Sequence, residues 1–260
     1  MREFYSKIAN ANLRYHDLPG KGIPLLFIHG LGCASSCDYP RVSLTHPLRG
    51  RHSILIDLLG SGFSDKPEKF GYSVSDHATI IAEFIAKSKF SKVHLFGHSM
   101  GGSIAIEVAT KCRKSIRSII VSEPNLDSGG GAFSRPIAEQ SETEFIDHGH
   151  RAAIESAHKQ GIHLWPSSLS IAFPAAIHRE AVSLVKGASP SWRDQLIKLP
   201  MPKTILFGAR SLPDPDTARL PKSGVIVRIV HQAGHSMALE NPVGLARCIY
   251  DSLPNSTMQY

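Results

Sequence analysis

The chain has 260 residues, of which 42% are hydrophobic and 20% charged, and its formal net charge is +7. This length suits one substantial core and is short for two independent domains, and the composition is that of an ordinary globular protein. It has no run of about 18 apolar residues and no apolar segment of a secretory signal at its N-terminus. The sequence therefore predicts no transmembrane helix and a cytoplasmic location.

Neither the basic residues nor the cysteines and histidines form a recognisable binding pattern. The densest basic run, Lys111–Arg117, falls at a predicted helix end, where cations suit the helix dipole, and no aromatic residues alternate with it. The four cysteines form no C-x-x-C pair, and none of the 14 histidines belongs to an H-E-x-x-H motif. We expect no nucleic-acid partner, no cofactor and no metal, and the oligomeric state stays open.

Strands and helices alternate along most of the chain. The first two strands, Glu3–Ile8 and Leu13–His16, are predicted to be antiparallel and joined by a turn at Asn10–Asn12. The next predicted elements are the strands Pro24–His29 and Ser53–Asp57, the helix Ser73–Lys87 with a Ser73/Asp76 capping box, the strand Lys92–Phe96, the helix Gly102–Arg113, the strands Arg117–Ser122, Lys203–Phe207 and Val225–Val230, and a helix from about Asn241 to Asp251. This alternation indicates an α/β fold with a mostly parallel, doubly wound sheet.

One long segment, at about 125–190, interrupts the alternation because it contains no convincing buried strand. Helical stretches are predicted there at Ile137–His148, Arg151–Gln160 and Ala175–Lys186. We expect a helical cap, inserted into a single domain of residues 1–260, over the carboxyl ends of the strands, where open α/β sheets bind ligands. Its aromatic residues are candidates for either a substrate pocket or the cap's own core: Phe133, Trp165, Phe173 and Trp192.

The most informative motif is Gly97-His98-Ser99-Met100-Gly101-Gly102, a G-x-S-x-G sequence between a predicted strand and a predicted helix. The glycines lack the Cβ atoms that would clash where the chain reverses so sharply. The motif in this setting is a nucleophile elbow, which presents a serine hydroxyl at the end of the strand. Ser99 is therefore the candidate nucleophile.

A serine needs a general base to become nucleophilic, and His235 is the candidate. It follows the last predicted strand, on a loop that Gly234 introduces. Upstream, His29-Gly30-Leu31-Gly32 forms a glycine-rich loop at another strand end, where an oxyanion donor is expected. Serine first and histidine last is the chain order expected of this kind of site.

With these motifs, and with Asp57–Asp65 (Asp-Leu-Leu-Gly-Ser-Gly-Phe-Ser-Asp), the chain resembles the α/β-hydrolase-fold serine hydrolases from about residue 5 to 252. The resemblance implies an oxyanion hole made by the backbone N–H groups of Leu31 and Met100. It also implies an acyl-enzyme on Ser99 and hydrolysis of a carboxylic ester, thioester or lactone, without a cofactor. The alternatives are a carbon–carbon bond hydrolase of the meta-cleavage type and a ligand sensor that keeps the fold. The acyl and leaving groups stay open.

The third member of the predicted triad, the acid, departs from the family's usual pattern. Ser211 occupies the position a few residues after the strand Lys203–Phe207 where the family usually places an aspartate. Asp214 and Asp216 lie slightly downstream, and Glu123 ends the preceding strand, where some family members carry the acid. We favour Glu123, because a carboxylate after a strand of apolar residues is costly to bury unless it is paired.

Overall fold

The computed structural model describes residues 1–254, so residues 255–260 of the predicted domain lie outside the described part. Eight strands form one sheet in the order β1-β2-β4-β3-β5-β6-β7-β8. The strands are β1 Arg2–Ser6, β2 Ala11–Leu18, β3 Lys21–Ile28, β4 Arg51–Asp57, β5 Val93–His98, β6 Ile116–Ser122, β7 Lys203–Gly208 and β8 Ile226–Val230.

Helices connect the strands on both faces of the sheet. They are α1 Ser35–Asp38, α2 Pro40–Ser43, α3 Val74–Lys87, α4 Met100–Lys111, α5 Ser134–Ala138, α6 Glu142–Glu144, α7 His150–Lys159, α8 Leu164–Ser170, α9 Pro174–Lys186, α10 Trp192–Lys198, α11 Asp216–Arg219, α12 Met237–Glu240 and α13 Pro242–Ser252. Short 3₁₀ turns follow α4, β7 and α11, and a π-helical turn, Phe145–Gly149, joins α6 to α7.

The pairing of the strands confirms the predicted mixed sheet. β1 pairs antiparallel with β2 and β2 antiparallel with β4, whereas every neighbouring pair from β4 to β8 is parallel. The predicted turn at Asn10–Asn12 was wrong by a few residues, because Ala11 and Asn12 already belong to β2. The α/β fold class is confirmed, and the described chain between β6 and β7 carries the helices α5 to α10.

The central strands are apolar on both faces because helices cover both. In β3, the side chains of Leu26 and Ile28 join the larger core cluster, with α3 and α4, whereas Leu25 and Phe27 join the second cluster, with α13. All four are fully buried. Alternation along the strand thus distributes a continuous apolar run between two cores.

Two predicted helix starts have different outcomes. The capping box before α3 is confirmed: the Ser73 hydroxyl accepts from the Asp76 amide, and the Asp76 carboxylate accepts from the Ser73 amide. The helix predicted from Gly102 begins instead at Met100. Gly101 and Gly102 form part of its first turn, because the strand turns into the helix within a single residue, Ser99.

The cap, as we call the segment carrying α5 to α10, is helical but more broken than predicted. The single helix expected at Ile137–His148 is wrong; the chain instead forms α5, then α6, then the π-helical turn. Ser141 caps α6 by accepting from the Glu144 amide, and a residue of this kind favours a new helix start over continuation of the previous one. The sequence prediction also missed α8 and α10.

No helix within residues 1–254 is long and apolar enough to cross a membrane.

Three histidines with lowered pKa values predict how stability depends on pH. Burial, aided by Arg51 and Arg117, lowers the pKa of His94 to about 4. Burial also lowers the pKa of His29 to about 4, and burial together with His235 lowers that of His98 to about 3. The unfolded chain binds protons at these side chains below about pH 6.5, and the folded protein does not, so stability is complete above that pH and falls as the pH drops toward 4.

Urea unfolding at pH 7 and pH 5 tests this dependence with His94→Asn. His94 lies away from the candidate site, in β5, and its Nδ1 bonds the Ser118 hydroxyl at 2.7 Å, a contact that an amide can replace. The variant should lose about 2 kcal/mol less than the original protein between the two pH values, because one imidazole no longer titrates. An equal loss in both proteins would show that His94 does not contribute.

Candidate active site

Ser99 lies at the sharp reversal between β5 and α4. Its backbone angles, φ 52° and ψ −122°, fall in a region that non-glycine residues rarely adopt. Its amide donates to the Ser122 carbonyl at 2.9 Å, and its carbonyl accepts from the Gly102 amide at 2.8 Å. The neighbouring strand and the first turn of the helix therefore hold the serine in a strained conformation, which is typical of functional sites.

The glycines of the motif are required by close backbone contacts. A Cβ atom at Gly97 would overlap the Gly101 carbonyl and lie 2.9 Å from the Gly102 Cα atom. A Cβ atom at Gly101 would overlap the carbonyl oxygens of Ile28 and His29. The helix thus packs on the strands closely enough that only glycine fits at both positions.

We expect Gly101→Ala to lower the free energy of unfolding by about 3 kcal/mol or more, because the added methyl group meets backbone atoms that cannot move independently. Gly131→Ala is the matched control, since a Cβ atom there meets only the Asn125 side chain, at 3.7 Å. Chemical denaturation of both variants measures the difference. Equal stability of the two variants would contradict the close contact between α4 and β3.

His235 lies on the loop after β8, where its ring meets Glu123. Its Nδ1 atom is 2.7 Å from Glu123 Oε2, and the second carboxylate oxygen accepts from the Gly208 amide at 2.8 Å. The Nδ1 atom therefore carries the proton that is donated to Glu123, and Nε2 is left as an acceptor. Glu123 itself has a positive φ of 40°, so a second candidate residue is held in strained backbone.

The carboxylate of Glu123 is stabilised in its ionised form. Burial alone raises its pKa, but hydrogen bonds from His235, the Gly208 amide and the Ser211 hydroxyl outweigh burial, so the pKa lies below its ordinary value. Glu123 is thus ionised at neutral pH, as an acid that orients an imidazole and stabilises its protonated form must be.

The two alternative acids have other partners. Asp216 binds the Arg193 guanidinium through both oxygens, at 2.7 and 3.0 Å, and Asp127 binds the same arginine. Asp214 accepts from the Asp216 amide at 2.8 Å, at the start of α11. The structure therefore brings Glu123, and neither Asp214 nor Asp216, into contact with His235.

The two predicted oxyanion donors, the Leu31 and Met100 amides, belong to peptide groups whose carbonyls are held elsewhere. The Gly30 carbonyl lies 2.8 Å from His29 Nδ1 and accepts from the Cys33 amide at 3.2 Å. The Ser99 carbonyl accepts inside α4. Because a trans peptide group is planar, each N–H points away from its fixed carbonyl. Neither amide donates to a protein group within residues 1–254.

Two uncharged histidines, His29 and His98, lie next to the Gly30–Leu31 loop and to His235, respectively. His29 accepts from the Leu58 amide through Nε2 at 3.0 Å, so its Nδ1 atom carries the proton and donates to Gly30. The ring of His98 lies 4.6 Å from that of His235, centroid to centroid, and its Nδ1 atom bonds the Ser122 hydroxyl at 3.0 Å. Because the pKa values of both are lowered chiefly by burial, neither competes with His235 for a proton near neutral pH.

A cavity of about 640 Å³ joins these groups beneath the cap. Ser99, His235 and Glu123 border it, together with Phe133 and Trp165. No hydrogen bond joins the Ser99 hydroxyl to His235 within the described part of the chain, and bonds of this kind often tighten only when substrate is bound.

Two of the four cap aromatics border the cavity, and the other two contact residues outside the cap. Phe133 and Trp165 border the cavity, and the Phe133 ring lies 6.4 Å from that of His235. Trp192 is buried with its indole N–H donated to Glu107 at 2.9 Å, and Phe173 packs near Tyr72. Periodicity could not separate these positions, because all four residues are large and aromatic, and the fold decides their exposure, which is 46% for Phe133 and 1% for Trp192.

Among the residues that the structure describes, no three His, Cys, Asp or Glu side chains are grouped as metal ligands would be.

Comparison with known proteins agrees with the fold described above. A family model described as alpha/beta hydrolase fold matches residues 23–161, which is more than half of the chain. The chain belongs to the α/β-hydrolase-fold family. The resemblance inferred from the four motifs is thereby confirmed.

Individual α/β hydrolases are similar to this chain over different extents. Lipase 3 of Moraxella sp. is 40% identical over 99 residues, which cover 38% of this chain and 30% of the lipase. A thermophilic esterase from Thermogutta terrifontis has a TM-score of 0.74 at 22% identity, with 93% of this chain and 92% of the esterase covered. An esterase from Exiguobacterium antarcticum has a TM-score of 0.78 at 19% identity, with 96% and 98% covered.

The likeness to solved structures extends over nearly the whole chain and shows the fold. The sequence match to the lipase, in contrast, covers less than a third of that protein's length. The lipase match therefore carries no activity over to this α/β hydrolase.

Sequence reasoning did not assign two contacts at the site. The Ser211 hydroxyl helps to lower the pKa of Glu123 through a hydrogen bond. The Trp165 indole N–H donates to the Leu31 carbonyl at 2.9 Å. In the sequence, Ser211 is marked only by standing where the family usually places an aspartate. Trp165 is distant in sequence from Leu31 and carries no local motif, so only the folded chain reveals that they meet.

Proposed function

We propose that this α/β hydrolase cleaves a carboxylic ester, or a related thioester or lactone, through an acyl-enzyme on Ser99. The observation that carries the proposal is the placement of a serine in strained backbone on the wall of the cavity that also holds the Glu123–His235 pair. Each group fits one role in acyl transfer, and no further group is needed.

In the first half of the reaction, Ser99 Oγ attacks the carbonyl carbon while its proton passes to Nε2 of His235. Glu123 holds the ring through Nδ1 and stabilises the imidazolium as it forms. The carbonyl oxygen becomes an oxyanion, which the N–H groups of Leu31 and Met100 receive. The C–O bond then breaks, and the alcohol leaves with the proton from His235.

In the second half, His235 takes a proton from a water molecule, whose oxygen attacks the acyl carbon. The tetrahedral intermediate collapses, the carboxylic acid is released, and Ser99 recovers its proton. Water supplies both the hydroxyl group of the acid and the proton of the alcohol, so the reaction balances without a cofactor.

The cavity supports a substrate of moderate size with an apolar part. Its volume of about 640 Å³ lies within the usual range for small-molecule sites, and Phe133, Trp165 and Ile162 are among the apolar side chains around it. The lipase match supports an ester, since that relative is named for ester cleavage.

Hydrolysis of p-nitrophenyl esters of increasing chain length, together with labelling by a fluorophosphonate, tests the proposal. We expect hydrolysis and one label, on the peptide containing Ser99. A folded protein that neither hydrolyses these esters nor takes the label would overturn it. Cleavage of a carbon–carbon bond in place of esters would favour the meta-cleavage alternative, and binding of a ligand without turnover would favour a sensor.

A further inference from the structure

The cap is hydrogen-bonded to the loop that carries the Leu31 amide. Trp165, in α8, donates its indole N–H to the Leu31 carbonyl at 2.9 Å. This contact joins the helical insertion directly to the loop that follows β3. An indole has one donor and no acceptor, so the bond uses the whole hydrogen-bonding capacity of the side chain.

The same helix also packs against the next residue of the loop. Gly32 has a positive φ of 69°, and a Cβ atom there would lie 2.9 Å from Trp165 Nε1 and 3.1 Å from Leu169 Cδ1. Since glycine rotates easily, the peptide group between Leu31 and Gly32 has little intrinsic stiffness. Within the turn that the Cys33 amide closes on the Gly30 carbonyl, the Trp165 indole is the group that binds the carbonyl of this peptide.

Leu31 is consequently held from two directions. On its N-terminal side, His29 and the Cys33 amide fix the Gly30 carbonyl and with it the direction of the Leu31 N–H. On its C-terminal side, the indole of Trp165 holds the Leu31 carbonyl. The first set of contacts comes from the sheet and the loop itself, and the second comes from the cap.

The indole also packs against Phe133, which lies beside the proposed general base. Its ring centroid is 5.2 Å from that of Phe133, and Phe133 in turn stacks on His235 at 6.4 Å with an interplanar angle of 26°. One aromatic group in the cap is thus adjacent both to the loop of the oxyanion donor and to the stack over the base.

We propose that Trp165 is a positioning residue through which the cap holds the Leu31 N–H in the geometry that stabilises the oxyanion. This inference rests on the proposed function, because it assigns Leu31 the role of donor. The contact acts on a group that binds the transition state more strongly than the substrate, so its loss lowers kcat and leaves KM nearly unchanged.

The sharpest variant replaces Trp165 by 3-benzothienylalanine, in which sulfur takes the place of the N–H and the bicyclic shape remains. Trp165→Phe is a second variant made of natural residues. Ser167→Ala is the control, since Ser167 lies on the same helix, is exposed, and donates its hydroxyl to the His163 carbonyl one turn earlier. With a p-nitrophenyl ester, we expect kcat of the benzothienyl variant to fall about tenfold with KM within about twofold. The control should match the original protein.

Hydrogen–deuterium exchange of the amides of Gly30–Cys33 provides a readout that does not need activity. We expect faster exchange in this loop in both Trp165 variants and unchanged exchange in Ser167→Ala. If the original protein proves inactive toward esters, the proposed function fails, and the exchange result still decides whether Trp165 holds the loop.

Unchanged kcat in the benzothienyl variant of an active enzyme would overturn the inference while leaving the proposed function intact. Unchanged loop exchange would also overturn it, even if kcat fell, because the effect would then not pass through the loop. A fall in kcat accompanied by a parallel rise in KM would assign Trp165 to substrate binding and would contradict the positioning role.

Discussion

Glu123→Gln should lower kcat for ester hydrolysis by about 10³- to 10⁴-fold while leaving the protein folded. The amide keeps the size of the carboxyl and can still accept from Gly208. It cannot stabilise an imidazolium, and its NH₂ group favours the opposite tautomer of His235, with the proton on Nε2 where it blocks the uptake of the Ser99 proton. Steady-state kinetics with a p-nitrophenyl ester measures the loss.

The matched control is Asp214→Asn, which we expect to stay within about threefold of the original kcat. The Asp214 side chain accepts from the Asp216 amide, and an asparagine oxygen can do the same. If Asp214→Asn lost activity by orders of magnitude and Glu123→Gln did not, the acid would be misassigned. The pair of variants thus separates Glu123 from Asp214, two of the three acids that the sequence left open.

Ser99→Ala should lower kcat by about 10⁵- to 10⁶-fold, because no other hydroxyl stands at the end of β5 to form the covalent intermediate. His98 and Glu123 are held by partners other than the Ser99 hydroxyl, so we expect the variant to stay folded. Residual turnover would come from water attacking substrate held near His235.

Ser99→Gly, compared with Ser99→Ala, shows what the strained backbone costs. Both variants lack the nucleophile, but only glycine accommodates φ 52° and ψ −122° without steric strain. We expect the glycine variant to be more stable to urea than the alanine variant by about 1 kcal/mol, after its larger loss of backbone entropy is included. Lower stability of the glycine variant would contradict strain at this residue.

The elbow and the positions of the strands along the chain were predictable because their signals are local. Ser99 is marked by its flanking glycines, and buried strands such as β3 are marked by continuous apolar runs. The Ser73 capping box is likewise contained within four neighbouring residues. In each case the residues that determine the local structure are close neighbours in the sequence.

The acid and the cap were less predictable because they depend on distant contacts. Whether Glu123 or Asp214 meets His235 is decided by the pairing of β6 and β7 and by the attachment of Asp216 to Arg193. The break of the helix expected at Ile137–His148 follows from a competing helix start at Ser141, whose side chain would be ordinary in either structure. The contact of Trp165 with Leu31 required the complete fold.

The most direct test of the account is a rapid-mixing experiment with p-nitrophenyl acetate, followed by acid quenching and mass spectrometry. The account predicts a burst of about one equivalent of p-nitrophenolate and one acetyl group on Ser99, with neither in Ser99→Ala. Steady release of p-nitrophenolate without any adduct, or an acetyl group on another residue such as Cys33, would contradict it.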